Sequence, residues 1–148
     1  MANQNSTGLE ILSNILQFCD SKTTTRLIHG LQKDRTIPQS VVSKLRQTVI
    51  LFEDLAYADQ RGLEKLLQGI SFKDLALALK GAPDGVTRNV ASAMSQNMFS
   101  DLKTEIALAK NATESDINAS RERILATVKA LVRSHNLYID KPDESRIY

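Results

Sequence analysis

Apolar residues recur at intervals of three and four along most of the chain, which is the spacing of amphipathic helices. After a polar lead over residues 1–8, which we expect to be disordered, three short helices are predicted over residues 9–48. Asp20 or Ser21 caps the second helix, and Pro38 opens the third. The apolar positions are Leu9, Leu12, Ile15, Leu16 and Cys19, then Leu27, Ile28 and Leu31, then Val41, Val42, Leu45 and Val49.

The second part of the chain, residues 53–140, predicts a further series of helices whose ends are clearly marked. The marks are N-cap residues at Asp59, Ser71 and Ser95, a terminating glycine at Gly81, an opening proline at Pro83, and a capping box of Thr113 with Asp116. In the helix after Ser95, the predicted buried stripe is Met98, Phe99, Leu102 and Ile106. The tail over residues 141–148 is expected to be loose. No segment predicts a strand, so the fold class is all-α.

Composition and charge narrow the possible functions. The chain has 42% hydrophobic residues and can bury a core, while its net charge of +2 comes without a basic cluster. We therefore expect no nucleic acid among its partners. No segment approaches the roughly 20 apolar residues of a membrane span, and the first residues lack the pattern of a signal peptide. The expectation is a cytoplasmic protein without direct membrane insertion.

The residues that usually carry chemistry are sparse. His29 and His135 have no Cys, Asp or Glu at ligand spacing, and the lone Cys19 lies in an apolar stretch that favours a buried role. A glycine-rich phosphate loop, a nucleophile elbow and a paired-carboxylate motif are all missing from the sequence. We expect no catalytic site, no metal site and no cofactor, so protein contact is the function that the residues favour.

Two short runs give the chain a recognisable order. Phe52-Glu53-Asp54-Leu55 precedes the second series of helices, and Leu79-Lys80-Gly81-Ala82 closes one of them. Earlier, Ile15-Leu16 is followed by Asp20 and then by Arg26-Leu27. With these residues at these spacings, the chain resembles the C-terminal half of FliG, the bacterial flagellar motor switch protein, over roughly Leu9 to Ile139.

The resemblance implies an armadillo-like middle-domain fragment at residues 9–48, a hinge at 49–52 and a right-handed superhelical C-terminal domain at 53–140. Armadillo units bury their apolar faces by stacking on neighbours. The implied stacking residues are Leu27, Ile28, Leu31, Val41, Val42 and Leu45. The hinge residues are Val49, Ile50, Leu51 and Phe52, of which only Phe52 matches the family's hinge motif. The family's N-terminal domain and first armadillo unit have no counterpart here, so the chain resembles a shortened, divergent paralogue.

The resemblance also points to a face that would meet the stator. Of the family's five torque-generating charges, only Lys80 and Glu105 are retained, because Asn97, Thr104 and Thr113 occupy the other matching positions. Helical geometry puts the residues Asn97, Asp101, Thr104 and Leu108 on one face, opposite the predicted buried stripe. The stator-facing candidates are Lys80, Asn97, Asp101, Thr104, Glu105 and Leu108.

The partners implied by the resemblance are the switch-complex proteins FliM and full-length FliG, the stator protein MotA, and a second copy of the chain. The implied location is the cytoplasmic face of the flagellar basal body. Two alternatives stay open. One is a helical adaptor outside the motor, which uses the face with Asn97 and Leu108 for another partner. The other is a helix-turn-helix DNA-binding protein over Ser71 to Met94, whose recognition helix would present Thr87, Arg88, Asn89 and Ser92.

Overall fold

The computed structural model describes residues 4–142 and consists of helices joined by short loops. Their bounds, in chain order, are α1 Gln4–Gln17, α2 Ser21–Lys33, α3 Gln39–Thr48, a 3-10 helix Phe52–Tyr57, α4 Gln60–Gly69, α5 Phe72–Leu79, α6 Asp84–Ser92, α7 Gln96–Leu108 and α8 Glu114–Arg133. Within residues 4–142, the one extended pairing is an isolated antiparallel bridge between Ala58 and Ile139. The predicted all-α class is confirmed. No helix in this described region is long and apolar enough to cross a membrane.

The predicted helix ends are formed by local hydrogen bonds. The side chains that accept a backbone N–H at an N-terminus are those of Asp20, Asp59, Ser71, Ser95 and Thr113. Asp116 also accepts the N–H of Thr113 at 3.1 Å, which completes the predicted capping box. Gly81 has φ of 70°, so α5 ends in the left-handed conformation that favours glycine. Because each cap stabilises a helix by about 1 kcal/mol, these ends are largely set by the local sequence.

Contacts divide the molecule into two compact units, and the division falls between Leu51 and Phe52. The first unit comprises residues 1–51 with 141–148. In its described part, α1 and α2 each pack against α3. The buried side chains at the centre of this unit are Leu16, Ile28, Leu45, Val49 and Leu51. The Thr24 hydroxyl is also buried and donates to the carbonyl of Leu16 at 3.2 Å.

The two ends of the first unit are more ordered than the sequence predicts. The lead is helical from Gln4, because a helix continues through polar residues once its later turns are packed. The tail is fixed at its first residue, where Lys141 Nζ donates to the carbonyl of Arg46 at 2.7 Å and to that of Val49. The remaining residues of the predicted lead and tail, 1–3 and 143–148, lie outside the described part of the chain.

The second unit, residues 52–140, is organised around the short helix α5. This helix packs against both α7 and α8, while α6 packs against the 3-10 helix. The side chains buried in this unit include Leu55, Leu63, Leu66, Leu75, Ala78, Val86, Val90, Leu102, Ile124, Leu125, Val128 and Leu137. Because all five α-helices of the unit contribute to this set, it forms a core of its own.

Side chains and backbone join the beginning of the second unit to its end. Asp59 N–H donates to the carbonyl of Tyr138 at 3.0 Å, and the N–H of Tyr138 donates to the Asp59 carboxylate at 2.8 Å. The Asn89 amide group donates to the carbonyls of Leu55 and Ala58 at 2.7 and 2.9 Å. The 3-10 helix is therefore held by α6 and by the segment that follows α8.

We predict that Gly62→Ala destabilises the second unit. A Cβ at this position in α4 would overlap the Asp59 carboxylate and lie 2.8 Å from the Leu137 backbone. Alanine favours a helix by up to about 1 kcal/mol over glycine. Relieving such overpacking costs about 1–3 kcal/mol, so we expect a net loss in the free energy of unfolding. Urea denaturation followed by circular dichroism measures this loss.

The matched control is Gly69→Ala at the end of the same helix, where the added Cβ would make an ordinary 3.5 Å contact with Thr127. This control is expected to leave the denaturation midpoint unchanged or slightly raised. Equal effects of the two substitutions would contradict the close approach at Gly62.

Candidate protein-interaction site

Helix α7 presents most of the predicted stator-facing residues to solvent. Asn97, Asp101 and Thr104 are exposed, and Leu108, the last residue of α7, is 72% exposed. Glu105 is half-buried. An exposed leucine on a face that has only one exposed charge, Asp101, is suited to a protein contact that is only partly electrostatic.

The predicted buried stripe of α7 is correct in part. Leu102 is fully buried, whereas Phe99 and Ile106 are half-buried and Met98 is 41% exposed. Lys103 lies over the Phe99 ring, with its Nζ 4.5 Å from the ring centroid. Because α7 has only α5 as its main packing neighbour, a single residue reaches the core and the flanking apolar residues stay at the edge.

Lys80 differs from the other candidates because its ammonium group is used inside the protein. It is half-buried at the C-terminus of α5, and its Nζ donates to the carbonyl of Ala109. Ala109 is the C-cap of α7, where a positive charge interacts favourably with the helix dipole. Lys80 therefore joins the ends of α5 and α7, whereas Asn97, Asp101 and Thr104 of α7 are exposed to solvent.

Arg121 of α8 also binds the C-terminal end of α5. Its Nε donates to the carbonyl of Ala78 at 2.8 Å, and its Nη2 donates to that of Lys80 at 3.0 Å. The guanidinium also lies over the ring of Phe52, 5.0 Å from its centroid. Burial lowers the pKa of Arg121 from its ordinary value. The sequence alone does not single out this residue, because its carbonyl acceptors are more than forty positions away.

A concave surface lies beside Leu108. It is an open cleft of about 600 Å³ between α5, the α7–α8 loop and α8. Its lining residues are Lys73, Asp74, Leu77, Leu108, Ala109, Asn111, Ala112, Asp116, Ala119 and Arg123. The cleft combines a row of aliphatic side chains with ionised groups, and only Leu108 among its residues belongs to the stator-facing candidates. We call it the Leu108 cleft.

An ion pair forms one wall of the Leu108 cleft. Arg123 donates from Nη2 and Nε to the two carboxylate oxygens of Asp74 at 2.7 and 3.1 Å. The Ser120 hydroxyl donates to the same carboxylate at 3.2 Å. The hydrogen bond from Arg123 is the main reason why the pKa of Asp74 is lowered, and the pKa of Arg123 is raised by the same contact. Both side chains are thereby oriented before any partner arrives.

A second surface suited to protein contact lies on α1. Ile11 and Ile15 are each 55% exposed and Phe18, in the turn after the helix, is 92% exposed. Ile15 is one of the apolar positions that follow helical spacing, and its side chain points about 100° around the helix from the buried Leu16. The spacing of four and three residues aligns the three side chains in one apolar row, which we call the α1 row. The spacing of Ile11, Ile15 and Phe18 is visible in the sequence and is the signal that could have identified this row.

The implied stacking residues differ in how deeply they are buried. Ile28, Val42 and Leu45 are buried within the first unit, Leu31 and Val41 are half-buried, and Leu27 is 47% exposed. The first three side chains are occupied by the unit's own core, so a stacking contact between chains would have to use other residues. Leu27 and the α1 row are the apolar groups that remain accessible in the described part of this unit.

The predicted hinge residues lie on both sides of the division between units. Val49 and Leu51 are buried in the first unit, Ile50 is half-buried, and Phe52 is buried in the second unit under Arg121. Among the described residues, no three His, Cys, Asp or Glu side chains are grouped as a metal site would require. The chemistry offered by these surfaces is apolar contact, hydrogen bonding and ion pairing.

We predict that Arg121→Met lowers the free energy of unfolding by about 2–3 kcal/mol, because two carbonyls at the end of α5 lose their donor. The matched control is Arg133→Met in the exposed last turn of the same helix, where we expect a change of about 0.5 kcal/mol or less. Urea denaturation of both variants measures the difference. Similar losses for the two variants would show that Arg121 does not hold the end of α5.

We predict that Asp74 makes the second unit sensitive to acid. Its pKa lies below the ordinary value of 3.8 in the folded state, so its stabilising contribution is present above that value. The contribution is lost as the pH falls through the lowered pKa. Asp74→Asn should therefore lower the urea midpoint at pH 6, and the gap from the unsubstituted protein should narrow near pH 3. A gap of constant size would contradict the ionic role of Asp74.

Comparison with known proteins identifies the family. The family model described as the FliG C-terminal domain matches residues 13–139. Flagellar motor switch protein FliG of Thermotoga maritima is 24% identical over 132 residues, which is 89% of this chain and 38% of that protein. FliG of Vibrio cholerae is 25% identical over 125 residues, covering 84% of this chain and 35% of that protein. The chain thus spans less than two fifths of the length of these relatives.

Solved structures agree on the fold. FliG residues 86–343 from H. pylori superimposes with a TM-score of 0.66 at 18% identity, covering 87% of this chain and 59% of that one. Full-length FliG from Aquifex aeolicus gives a TM-score of 0.57 at 17% identity, covering 85% of this chain and 38% of that one. The resemblance stated from the sequence is confirmed, and the chain belongs to the FliG C-terminal domain family.

Proposed function

We propose that the protein is a rotor-type interaction module of the flagellar motor switch, with a structural and not a catalytic role. The observation that carries this proposal is the family match over residues 13–139, which continues through both units and the segment that joins them. If the family match covered only the second unit, it would support a shared fold but not a shared role. The proposed location is the cytoplasmic face of the flagellar basal body.

In this proposal the first unit binds other switch-complex subunits, FliM or full-length FliG, and a second copy of the chain can take the same place. The support is the α1 row, where two isoleucines and a phenylalanine face solvent. Burying one such side chain stabilises a complex by about 1.5–3 kcal/mol. The row is therefore large enough to contribute several kcal/mol to an interface, before the cost of association.

The second unit would meet the stator protein MotA through the exposed face of α7. Three of the five positions that match the family's torque charges are occupied here by Asn97, Thr104 and Thr113. Of the two retained charges, Lys80 is engaged with Ala109 and Glu105 remains on α7. Each exposed ion pair contributes only about 0.2–1 kcal/mol, so a face with few charges binds a charged stator weakly. We infer that this chain modifies switching or assembly more than it transmits torque.

A change of rotation sense would require the second unit to turn relative to the first. The backbone at Leu51 and Phe52 is the natural pivot, since the two residues belong to the cores of different units. Arg121 would carry the movement of Phe52 to the end of α5, because it contacts both.

A second candidate function is an adaptor outside the motor. The exposed Leu108 supports it, because this side chain adds an apolar anchor to a face on which the torque charges are depleted. The contacts of α6 argue against the DNA-binding alternative. The side-chain amide of Asn89, which would contact a base, donates instead to the carbonyls of Leu55 and Ala58. The hydroxyl of Ser92 donates to the carbonyl of Asn89. Arg88 is the one cation in α6, and phosphate binding depends on several.

We predict that the tagged chain co-purifies with FliM or FliG from a flagellated host and that Ile15→Asp abolishes this co-purification. A carboxylate in the middle of the α1 row would have to lose its hydration in the complex, which is costly. The measurement is the amount of FliM and FliG recovered, quantified by mass spectrometry. The variant is expected to stay folded because Ile15 is exposed in the free protein.

The control is Asn14→Asp, which adds the same charge at an exposed neighbouring position of α1. It should retain co-purification. Loss of binding in both variants would mean that charge alone disrupts the complex. Recovery of proteins unrelated to the flagellum, with neither FliM nor FliG, would overturn the motor proposal and favour the adaptor.

A further inference from the structure

We propose that the Leu108 cleft binds an acidic segment of a partner protein, which places an aliphatic side chain beside Leu108 and a carboxylate against Lys73 and Arg123. This inference goes beyond the proposed role in the motor switch, because it follows from the chemistry of the cleft and holds for a partner inside or outside the motor.

The aliphatic part of the cleft supplies the anchor. Leu108 is 72% exposed at the rim, and Leu77 of α5 is half-buried. Three small side chains, those of Ala109, Ala112 and Ala119, also line the cleft. A volume of about 600 Å³ is within the usual range of ligand pockets, so the cleft has room for side chains of a docked segment.

The carboxylates of the cleft are already used inside the protein. Both oxygens of Asp74 accept hydrogen bonds from Arg123, and one of them also accepts from Ser120. Asp116 accepts the N–H of Thr113 in the capping box, and this bond is the main cause of its lowered pKa. These two acidic groups stay ionised and are directed into intramolecular contacts.

The cations of the cleft retain donors that an acidic partner could use. Lys73 is exposed, and its ammonium group has no ion-pair partner in the described part of the chain. Arg123 uses Nε and Nη2 for Asp74 and Ser120, which leaves Nη1 without an acceptor among residues 4–142. Hydrogen-bonding capacity therefore favours a carboxylate-bearing partner over a basic one.

The position of Arg123 lowers the cost of such binding. Its guanidinium is fixed by three hydrogen bonds, so little rotamer entropy is lost when a further acceptor arrives. The same fixed geometry leaves Nη1 available to donate to a carboxylate. A helical segment with an aliphatic residue and an acidic residue one turn apart presents both groups on the same face.

A protein segment fits this cleft better than a nucleic acid or a membrane. The lining contains no aromatic side chain on which a base could stack, and it offers two cations where phosphate binding draws on many. A lipid surface is planar and would meet the exposed rim but not the recessed residues of the cleft.

The test uses three alanine-based helical peptides of about 16 residues, long enough to be partly helical in water. The first carries one leucine flanked by glutamates four residues away on each side. The second replaces the glutamates by lysines, and the third replaces the leucine by serine. Each peptide is titrated into the ¹⁵N-labelled full chain, and amide shifts are recorded by NMR.

We expect the acidic leucine peptide to shift the amides of Leu77, Leu108 and Ala112 and to bind about tenfold or more tightly than the lysine peptide. The serine peptide should also bind more weakly than the acidic leucine peptide. Added salt should reduce the affinity of the acidic leucine peptide more than that of the other two peptides. Equal affinities for the acidic and basic peptides would overturn the proposal. So would the absence of shifts at the cleft up to millimolar peptide.

Two charge-reversal variants then distinguish binding at the cleft from a general effect of the protein's net charge. Lys73→Glu should reduce the affinity for the acidic peptide about tenfold and improve that for the lysine peptide. Arg88→Glu changes the net charge equally at an exposed position of α6 outside the cleft and should have little effect. Equal losses in both variants would contradict a specific site.

A second variant addresses the aliphatic anchor. Leu108→Ser should weaken the acidic leucine peptide and leave the spectrum of the free protein largely unchanged, because Leu108 is exposed. These results do not depend on the co-purification experiment, which concerns the α1 row. Failure of the peptide test would leave the motor-switch proposal intact, and failure of co-purification would leave the cleft result intact.

Discussion

The packing of α5 against α8 is the contact on which the second unit and its surfaces depend. Helix α5 has only eight residues, too few to be stable alone in water. Four of them, Leu75, Ala76, Ala78 and Leu79, are buried. Polar contacts hold both of its ends: Asp74 receives Arg123 and Ser120 near the N-terminus, while Arg121 donates to the carbonyls at the C-terminus. The helix is thus stabilised by α8 and by its own N-cap rather than by its length.

The surfaces of the unit follow from this arrangement. Since α7 packs mainly on α5, it contributes Leu102 to the core and leaves its far side open to solvent. Lys80 joins the end of α5 to the end of α7, which leaves Leu108 exposed beside the α7–α8 loop. The Leu108 cleft lies between the helices that this contact brings together. An interaction surface and the stability of the core therefore share residues, notably Asp74 and Arg123.

The two units offer different kinds of contact. The α1 row is apolar and suits a permanent or slowly exchanging interface, whereas the Leu108 cleft combines aliphatic and charged groups and suits a reversible one. In the role that we propose, the first unit anchors the module in an assembly and the second meets a changing partner.

The sequence by itself determined the all-α class, the capped helix ends and the family. Caps such as Ser71 and Thr113, and the glycine at Gly81, act on the adjacent backbone, so their effect is readable from neighbouring residues. Only the tertiary structure decided which apolar rows face solvent and which charges are free. Ile15 and Leu16 are adjacent in the chain, yet only Leu16 is buried in the core. Lys80 and Arg121 acquired their roles from carbonyls that are distant in sequence, because such contacts arise only when the helices pack.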